Sequence, residues 1–391
     1  MSQQPISRSP DLKRLRDEGY QIEIRSGHLL MSGVPYVNGK REVARGTLVS
    51  TLVLAGDVTQ PPDTHIAHFI GDYPCNVDGT EITKMQLGPQ AVSLGDGLTT
   101  THSFSSKPSS GRYVDYYEKM VTYATIISSP AFHIDSSTPK IFAPVRADET
   151  EAIFNYIDTA SSRAGIAGMV QQFADDKVAI IGLGGTGSYV LDLIAKMPVK
   201  EIHLFDADKF LQHNAFRAPG AASFDQLSAI PYKVDYLRGI YAAMHRGITA
   251  HAVNIDADNV GLLKSMSFVF ICIDGGAGKG VIVRALEDAG IPFIDTGIGV
   301  ELVEQQLLGM VRITTSTPEK RDHLRDRVSF SDPAGDAAYR SNIQIADLNA
   351  LNASLAVIKW KKLRGLYIDL DREHHTSYVI SGNTMINDEK L

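Results

Sequence analysis

At 391 residues the chain exceeds one typical hydrophobic core, so two domains are expected. Its 43% hydrophobic and 21% charged content is that of a globular protein and excludes a disordered chain, and a net charge of −7 gives no general attraction to nucleic acid or an anionic membrane. Two cysteines make neither a disulfide framework nor a four-cysteine zinc site, no apolar run approaches the ~20 residues of a membrane helix, and the amino terminus lacks a signal peptide's apolar core. A cytoplasmic protein with no nucleic-acid and no membrane partner is expected.

In residues 1–145, short β-prone runs at 20–24, 47–54 and 122–127 alternate with clusters of Gly, Pro, Asp and Ser. That texture predicts a smaller N-terminal α+β or β-rich domain. The Ser-, Thr- and Gly-rich stretch 95–111, which includes His102 and Lys107, reads as a long solvated loop. Residues 64–79 gather His65, His68, Asp72, Cys75 and Asp78 and invite a metal or thiol reading. Strand alternation puts His65 and His68 on opposite faces, and no second cluster supplies ligands at zinc-like spacing, so metal is not expected there. Cys75, after a proline and before a turn, is either a reactive thiol or a half-buried small residue. The acidic segment 148–158 is expected to start a helix, which places the domain boundary between 143 and 150 and divides the chain into 1–145 and 146–391.

Beyond about residue 150, strands and helices alternate, which implies a doubly wound α/β domain with a parallel sheet. The expected strands are 178–181, 201–205, 248–253, 268–273 and 292–295, with a β-prone stretch at 307–314. The expected helices are 188–196, 231–244, 259–265 and 280–289, and an apolar helix at 343–363 follows a polar segment at 315–342. Gly182 and Gly184 permit a tight turn with backbone N–H groups close to phosphate, and Gly187 lets the next helix pack against its strand. Asp206 ends the second strand, where a dinucleotide site wants a carboxylate for ribose, and Asp274 ends the fourth. In open α/β sheets ligands bind outside the carboxyl ends of strands, where Gly182, Asp206 and Asp274 all lie.

The glycines alone fit an NAD-dependent oxidoreductase, and they equally fit a non-catalytic adenine-nucleotide-binding scaffold. Asn214, Arg217, Lys233 and Asp274 shift the reading, because cations beside a triphosphate neutralise charge during attack at the α-phosphorus and a spare carboxylate can hold Mg²⁺. At these residues the chain resembles the ThiF/MoeB/HesA adenylyltransferases, whose fold is shared with ubiquitin-activating enzymes. The match rests on Gly182-Leu-Gly184-Gly185-Thr-Gly187, on Asp206-x-Asp208 followed by Asn214 and Arg217, on Tyr-Lys233-Val and on Cys272-Ile-Asp274. It spans roughly residues 155–315 and continues through the helix that includes Lys359.

The resemblance implies a Rossmann-like ATP-binding domain. Asp206 would hold the ribose, Asn214, Arg217 and Lys233 the phosphates, and Asp274 a Mg²⁺ ion; Arg163 would be the arginine that reaches an ATP site, often across a dimer. The implied reaction is adenylation of the C-terminal glycine carboxylate of a ubiquitin-like protein. The whole chain, with its extra N-terminal domain, resembles bacterial members that work with such a protein and a conjugating enzyme, and that domain is expected to bind one of them. A homodimer is implied too, since the apolar 343–363 helix needs cover. The chain departs from the family in lacking a cysteine before that helix and zinc-binding Cys-x-x-Cys pairs, and Gly275 stands where Asn often follows the aspartate. Cys272 is expected to be structural, inside a buried strand. The acyl group would pass directly to a partner, to Cys75, or to a hydroxyl among Ser329, Ser331, Tyr339 and Ser341.

Overall fold

The computed structural model describes residues 4–88, 91–95, 97–147, 152–330 and 343–387. The chain divides into two compact units, Met1–Thr150 with Tyr156–Arg163, and Glu151–Asn155 with Ala164–Leu391.

The first unit begins with α1 (Gln4–Arg8) and α2 (Pro10–Asp17), followed by β1 (Gln21–Arg25), β2 (His28–Val37), β3 (Val43–Thr51), β4 (Leu54–Ala55) and β5 (Val58–Thr59). Then come β6 (Ile66–Ile70), β7 (Gln86–Gly88), β8 (Val92–Ser93), β9 (Thr99–Thr100), β10 (His102–Ser105), α3 (Tyr116–Asp135) and α4 (Thr159–Arg163). An antiparallel sheet in the order β1-β2-β3-β6-β10-β7 packs against α3. The unit is therefore α+β, but three local expectations change. The run 122–127 is helical, because Tyr116, Met120, Tyr123, Ala124, Ile127 and Ala131 recur at helical spacing on one buried face and Asp115 caps the start by accepting from the Glu118 N–H. Burial of that face overrides the β propensity of Thr and Ile. The stretch 95–111 is not one loop: β10 lies inside it and pairs with β6, so Phe104 is fully buried. The described part of 148–158, residues 152–158, is not helical, and the helix starts at Thr159. There the Asn155 amide donates to the carbonyls of Ala242 and Ala243, a use of side chain that competes with helix formation.

The second unit contains α5 (Ala167–Val170), β11 (Lys177–Ile181), α6 (Gly185–Ile194), β12 (Glu201–Phe205), α7 (Gln212–Ala215), α8 (Phe224–Ser228), α9 (Lys233–Tyr241) and β13 (Ile248–His251). It continues with β14 (Phe268–Ile271), α10 (Ala277–Asp288), β15 (Phe293–Val303), β16 (Gln306–Ser316), α11 (Ala346–Leu363), β17 (His375–Val379) and β18 (Thr384–Asn387). The eight strands run β13-β12-β11-β14-β15-β16-β17-β18, parallel from β13 through β15 and antiparallel beyond. Helices cover the central strands, whose side chains are buried throughout: Phe268–Ile271 carries no exposed residue.

The α11 helix packs on α6, β15 and β16, burying Ala353, Ala356, Val357 and Trp360. Trp360 is the chain's single tryptophan and sits against Phe173 at a ring-centroid distance of 4.6 Å. Cover for this helix thus comes from within the unit, and its apolar character gives no reason for a dimer. Among the described residues no helix is long and apolar enough to cross a membrane.

Candidate nucleotide-binding site

The connection from β11 to β12 runs to one side of the sheet and the connection onward to β14 crosses to the other, so strand order reverses around β11. Such a reversal leaves a crevice at the carboxyl ends of the strands. Register makes these ends level: Ile181 lies opposite both Phe205 and Ile271, the Gly182 N–H donates to the Phe205 carbonyl and the Cys272 N–H to that of Ile181. Gly182, Asp206 and Asp274 therefore emerge together around a cleft of about 400 Å³.

The turn into α6 depends on glycine for two separate reasons. Gly182 has φ of +87°, which an L side chain rarely adopts. Gly187 lies so close to the Gly182 carbonyl that a Cβ would overlap it, which keeps α6 tight on β11. Gly184, by contrast, has open space on its Cβ side and precedes the first turn of α6, where helix N–H groups have no acceptor of their own. Free N–H groups, the helix dipole and open space make this end of α6 suited to an anion.

Asp206 is only 7% exposed and has structural work inside the cleft wall. One carboxylate oxygen accepts from the Leu183 N–H at 2.7 Å and the other from the Asp208 N–H at 2.8 Å. Lys233, the first residue of α9, is buried; its Nζ donates to Asp208 at 2.7 Å and lies 3.5 Å from Asp206. Arg217 lines the same cleft, and its Nε is buried with no hydrogen-bond partner among the described residues. These cations set a positive local field: His213 has a lowered pKa, first from burial and then from Arg217 and Lys233. Asp274 is exposed at the cleft, in the loop between β14 and α10.

Gly182, Gly184, Gly185, Asp206, Asp208, Arg217, Lys233 and Asp274 are thus brought together. Gly187 acts one layer behind them. Asn214 does not line the cleft; its Oδ1 accepts from the Leu211 N–H, and its carbonyl accepts from the Arg217 N–H, so it shapes the turn that carries Arg217. Arg163 ends α4 in the first unit, with its guanidinium 5.8 Å from the Phe142 ring centre.

Neither cysteine has the setting of a reactive thiolate. Cys75 is 2% exposed and donates to the Tyr73 carbonyl, and its pKa is raised by burial and by Glu81, Asp78 and Asp72. Cys272 lies one residue beyond β14 rather than inside it and borders the cleft, but burial pushes its thiol up to about 12. His65 and His68 pair with Ser105 and Ser103, and among the described residues no group of three or more His, Cys, Asp or Glu is arranged to hold a metal. Ser329 is exposed, whereas Ser331, Tyr339 and Ser341 lie outside the described residues.

Sequence reading missed Lys279, in the glycine-rich first turn of α10. It is 2% exposed at the cleft and pairs with the fully buried Asp295 at 2.7 Å, while Arg312 reaches the other oxygen at 2.9 Å. The local signal was the second glycine run, Gly275-Gly-Ala-Gly-Lys-Gly280. Thr186, which stands inside the glycine motif, and Asn349, in the late helix, were missed as site residues as well.

A mostly parallel doubly wound sheet with an anion-binding helix start at its switch point and two cations beside it defines a mononucleotide-binding α/β domain. Residues 159–347 match the ThiF family, so the second part of the chain carries a ThiF family domain; residues 10–159 match a domain of unknown function, DUF6791. No curated protein matches the chain. Similar solved structures include Escherichia coli MccB with succinimide, at 16% identity and a TM-score of 0.45, covering 59% of this chain and 71% of that one. MccB with ATP gives the same values, and selenomethionine PaaA gives 17% and 0.44, covering 57% of this chain and 75% of that one.

Proposed function

We propose that the chain activates a protein carboxylate by ATP-dependent adenylation. The observation that carries this reading is the Arg217 guanidinium, whose buried Nε has no partner among the described residues at a cleft that also holds Lys233 and the start of α6. A dehydrogenase has no need of two cations there, whereas a triphosphate under attack does. A carboxylate oxygen attacks the α-phosphorus, forming the acyl-phosphate bond as the bond to the β-phosphate oxygen breaks and pyrophosphate leaves. Arg217 and Lys233 neutralise the charge that moves onto the leaving pyrophosphate, and the α6 N–H groups orient the phosphate chain. Asp206 braces the turn and faces the ribose.

Asp274 is the residue that would hold Mg²⁺, whose chemistry is charge neutralisation on the phosphates. An exposed carboxylate beside a phosphate site fits that ion, which takes one or two carboxylates together with substrate oxygens. The substrate we infer, from the family resemblance, is the C-terminal glycine of a ubiquitin-like protein in a bacterial conjugation pathway. The N-terminal unit would bind that protein or a conjugating enzyme in the cytoplasm, and a homodimer is inferred from the family resemblance alone, since α11 is covered within its own unit. With no thiolate at the cleft, direct transfer of the acyl group is favoured over a thioester.

The test is ATP–pyrophosphate exchange by the full chain with a ubiquitin-like protein ending in glycine. Exchange that falls at least tenfold in Arg217→Ala and in Asp274→Ala is expected. ATP binding without exchange would make the chain a scaffold, and stabilisation by NAD alone would make it an oxidoreductase.

A further inference from the structure

Asn349 lies in the first turn of α11 and is 1% exposed, yet it borders the nucleotide cleft. Its Oδ1 accepts from the Thr186 hydroxyl at 3.1 Å. Its Nδ2 is buried with no hydrogen-bond partner among the described residues. A buried amide donor left without an acceptor is costly to keep, so a position that retains one calls for an explanation.

Gly185 supplies the second observation. It is the first residue of α6, and a Cβ there would overlap the Asn349 amide. The glycine at this position is therefore a seat for Asn349, which lies against the same helix start, where the first backbone N–H groups have no acceptor within the helix. Side-chain and main-chain donors thus converge on one point of the cleft wall. An anionic oxygen satisfies both kinds of donor, and its bond to each is charge-assisted.

We propose that Asn349 Nδ2 donates to a phosphoryl oxygen of the bound nucleotide, a binding contact delivered by α11. Thr186 is its positioning residue. This rests on the nucleotide reading above and adds to it a phosphate ligand from a distant part of the chain.

The experiment is calorimetric titration of the full chain, unaltered and as Asn349→Ala and Asn349→Asp, with ATP–Mg²⁺, AMP and adenosine. Asn349→Ala is expected to weaken ATP and AMP roughly tenfold or more, the usual worth of a hydrogen bond to a charged group. Asn349→Asp, which sets a carboxylate against the phosphate, should weaken them at least a hundredfold. Adenosine, with no phosphate, should stay within twofold in both. A carboxylate at a helix start is favourable in itself, so Asn349→Asp should fold, which an unchanged unfolding midpoint without nucleotide would verify. Equal losses for adenosine and ATP would mean a structural role and overturn the proposal, as would unchanged ATP affinity in Asn349→Asp. Failure of the unaltered chain to bind any of the three would overturn the nucleotide reading and this proposal together.

Discussion

Gly187→Ala puts the packing account of the nucleotide turn to a direct test. The added Cβ would overlap the Gly182 carbonyl oxygen and lie 3.0 Å from the Gly182 carbonyl carbon and 3.2 Å from Cys272 Cβ. Two of these three atoms are main chain, so no rotamer change relieves the contact. Restoring ordinary carbon contacts of ~3.5–4.0 Å requires α6 to lift from β11 by on the order of 1 Å. Val190, Leu191 and Ile194 of α6 are fully buried and would lift with it. Overpacking costs about 1–3 kcal/mol, and contacts with main-chain atoms put this case at about 2–3 kcal/mol; replacing a helical glycine by alanine returns nearly 1 kcal/mol, which leaves a net loss of about 1–2 kcal/mol. Because Trp360 is the sole tryptophan and is buried in this unit, its emission during urea unfolding reports the unit by itself. With a slope of about 2 kcal/mol per molar, the midpoint should fall by roughly 0.5–1 M. Nucleotide affinity should fall too, since a shift of about 1 Å can cost as much as a hundredfold where geometry matters. A midpoint at or above that of the unaltered chain, with ATP affinity intact, would refute the reasoning.

Other consequences follow from groups around the same core. His245 is fully buried, accepts from the Gly247 N–H through Nδ1 and contacts the Val199 carbonyl through Nε2; burial lowers its pKa from 6.5 to about 4. Between those values the unfolded chain binds the extra proton, so stability should fall as pH drops from about 6.5 to 4, by up to ~3 kcal/mol for this group. In His245→Gln, the part of the acid loss measured by Trp360 emission that belongs to His245 should disappear; an unchanged pH profile would remove His245 as its source. Asp206→Ala leaves the Leu183 and Asp208 N–H groups without their acceptor. It should destabilise the second unit by about 2 kcal/mol or more as well as weaken ATP; loss of ATP binding with an unchanged unfolding midpoint would contradict the bracing role. Both thiols should react with a thiol reagent at pH 8 at least tenfold more slowly in the native chain than in urea, and rapid native labelling of Cys75 would reopen it as an acyl acceptor.

How much of this was legible in the sequence depended on whether the determining contacts were local. The β11 run and its glycines could be read because a strand buried on both faces must be apolar and a turn at φ of +87° must be glycine; both demands act within ten residues. The run 122–127 was misread because Thr, Tyr and Ile are β-prone one at a time, while the helical spacing that buries Tyr116, Tyr123 and Ile127 shows only over several turns. Lys279, Asp295 and Arg312 form a buried ionic group from α10, β15 and β16, and nothing in any one of those segments announces the other two. Asn349 is the extreme case, since it bonds a residue 163 positions earlier. From sequence, α11 read as an apolar helix in need of cover, and a second copy of the chain was one way to supply it. The structure supplies that cover by laying α11 on α6, and the same packing carries a polar side chain onto the nucleotide turn. A helix whose apolar face fixes its place is a rigid support for a polar residue at its first turn, so the packing that removes the argument for a dimer is what gives Asn349 a defined position at the start of α6.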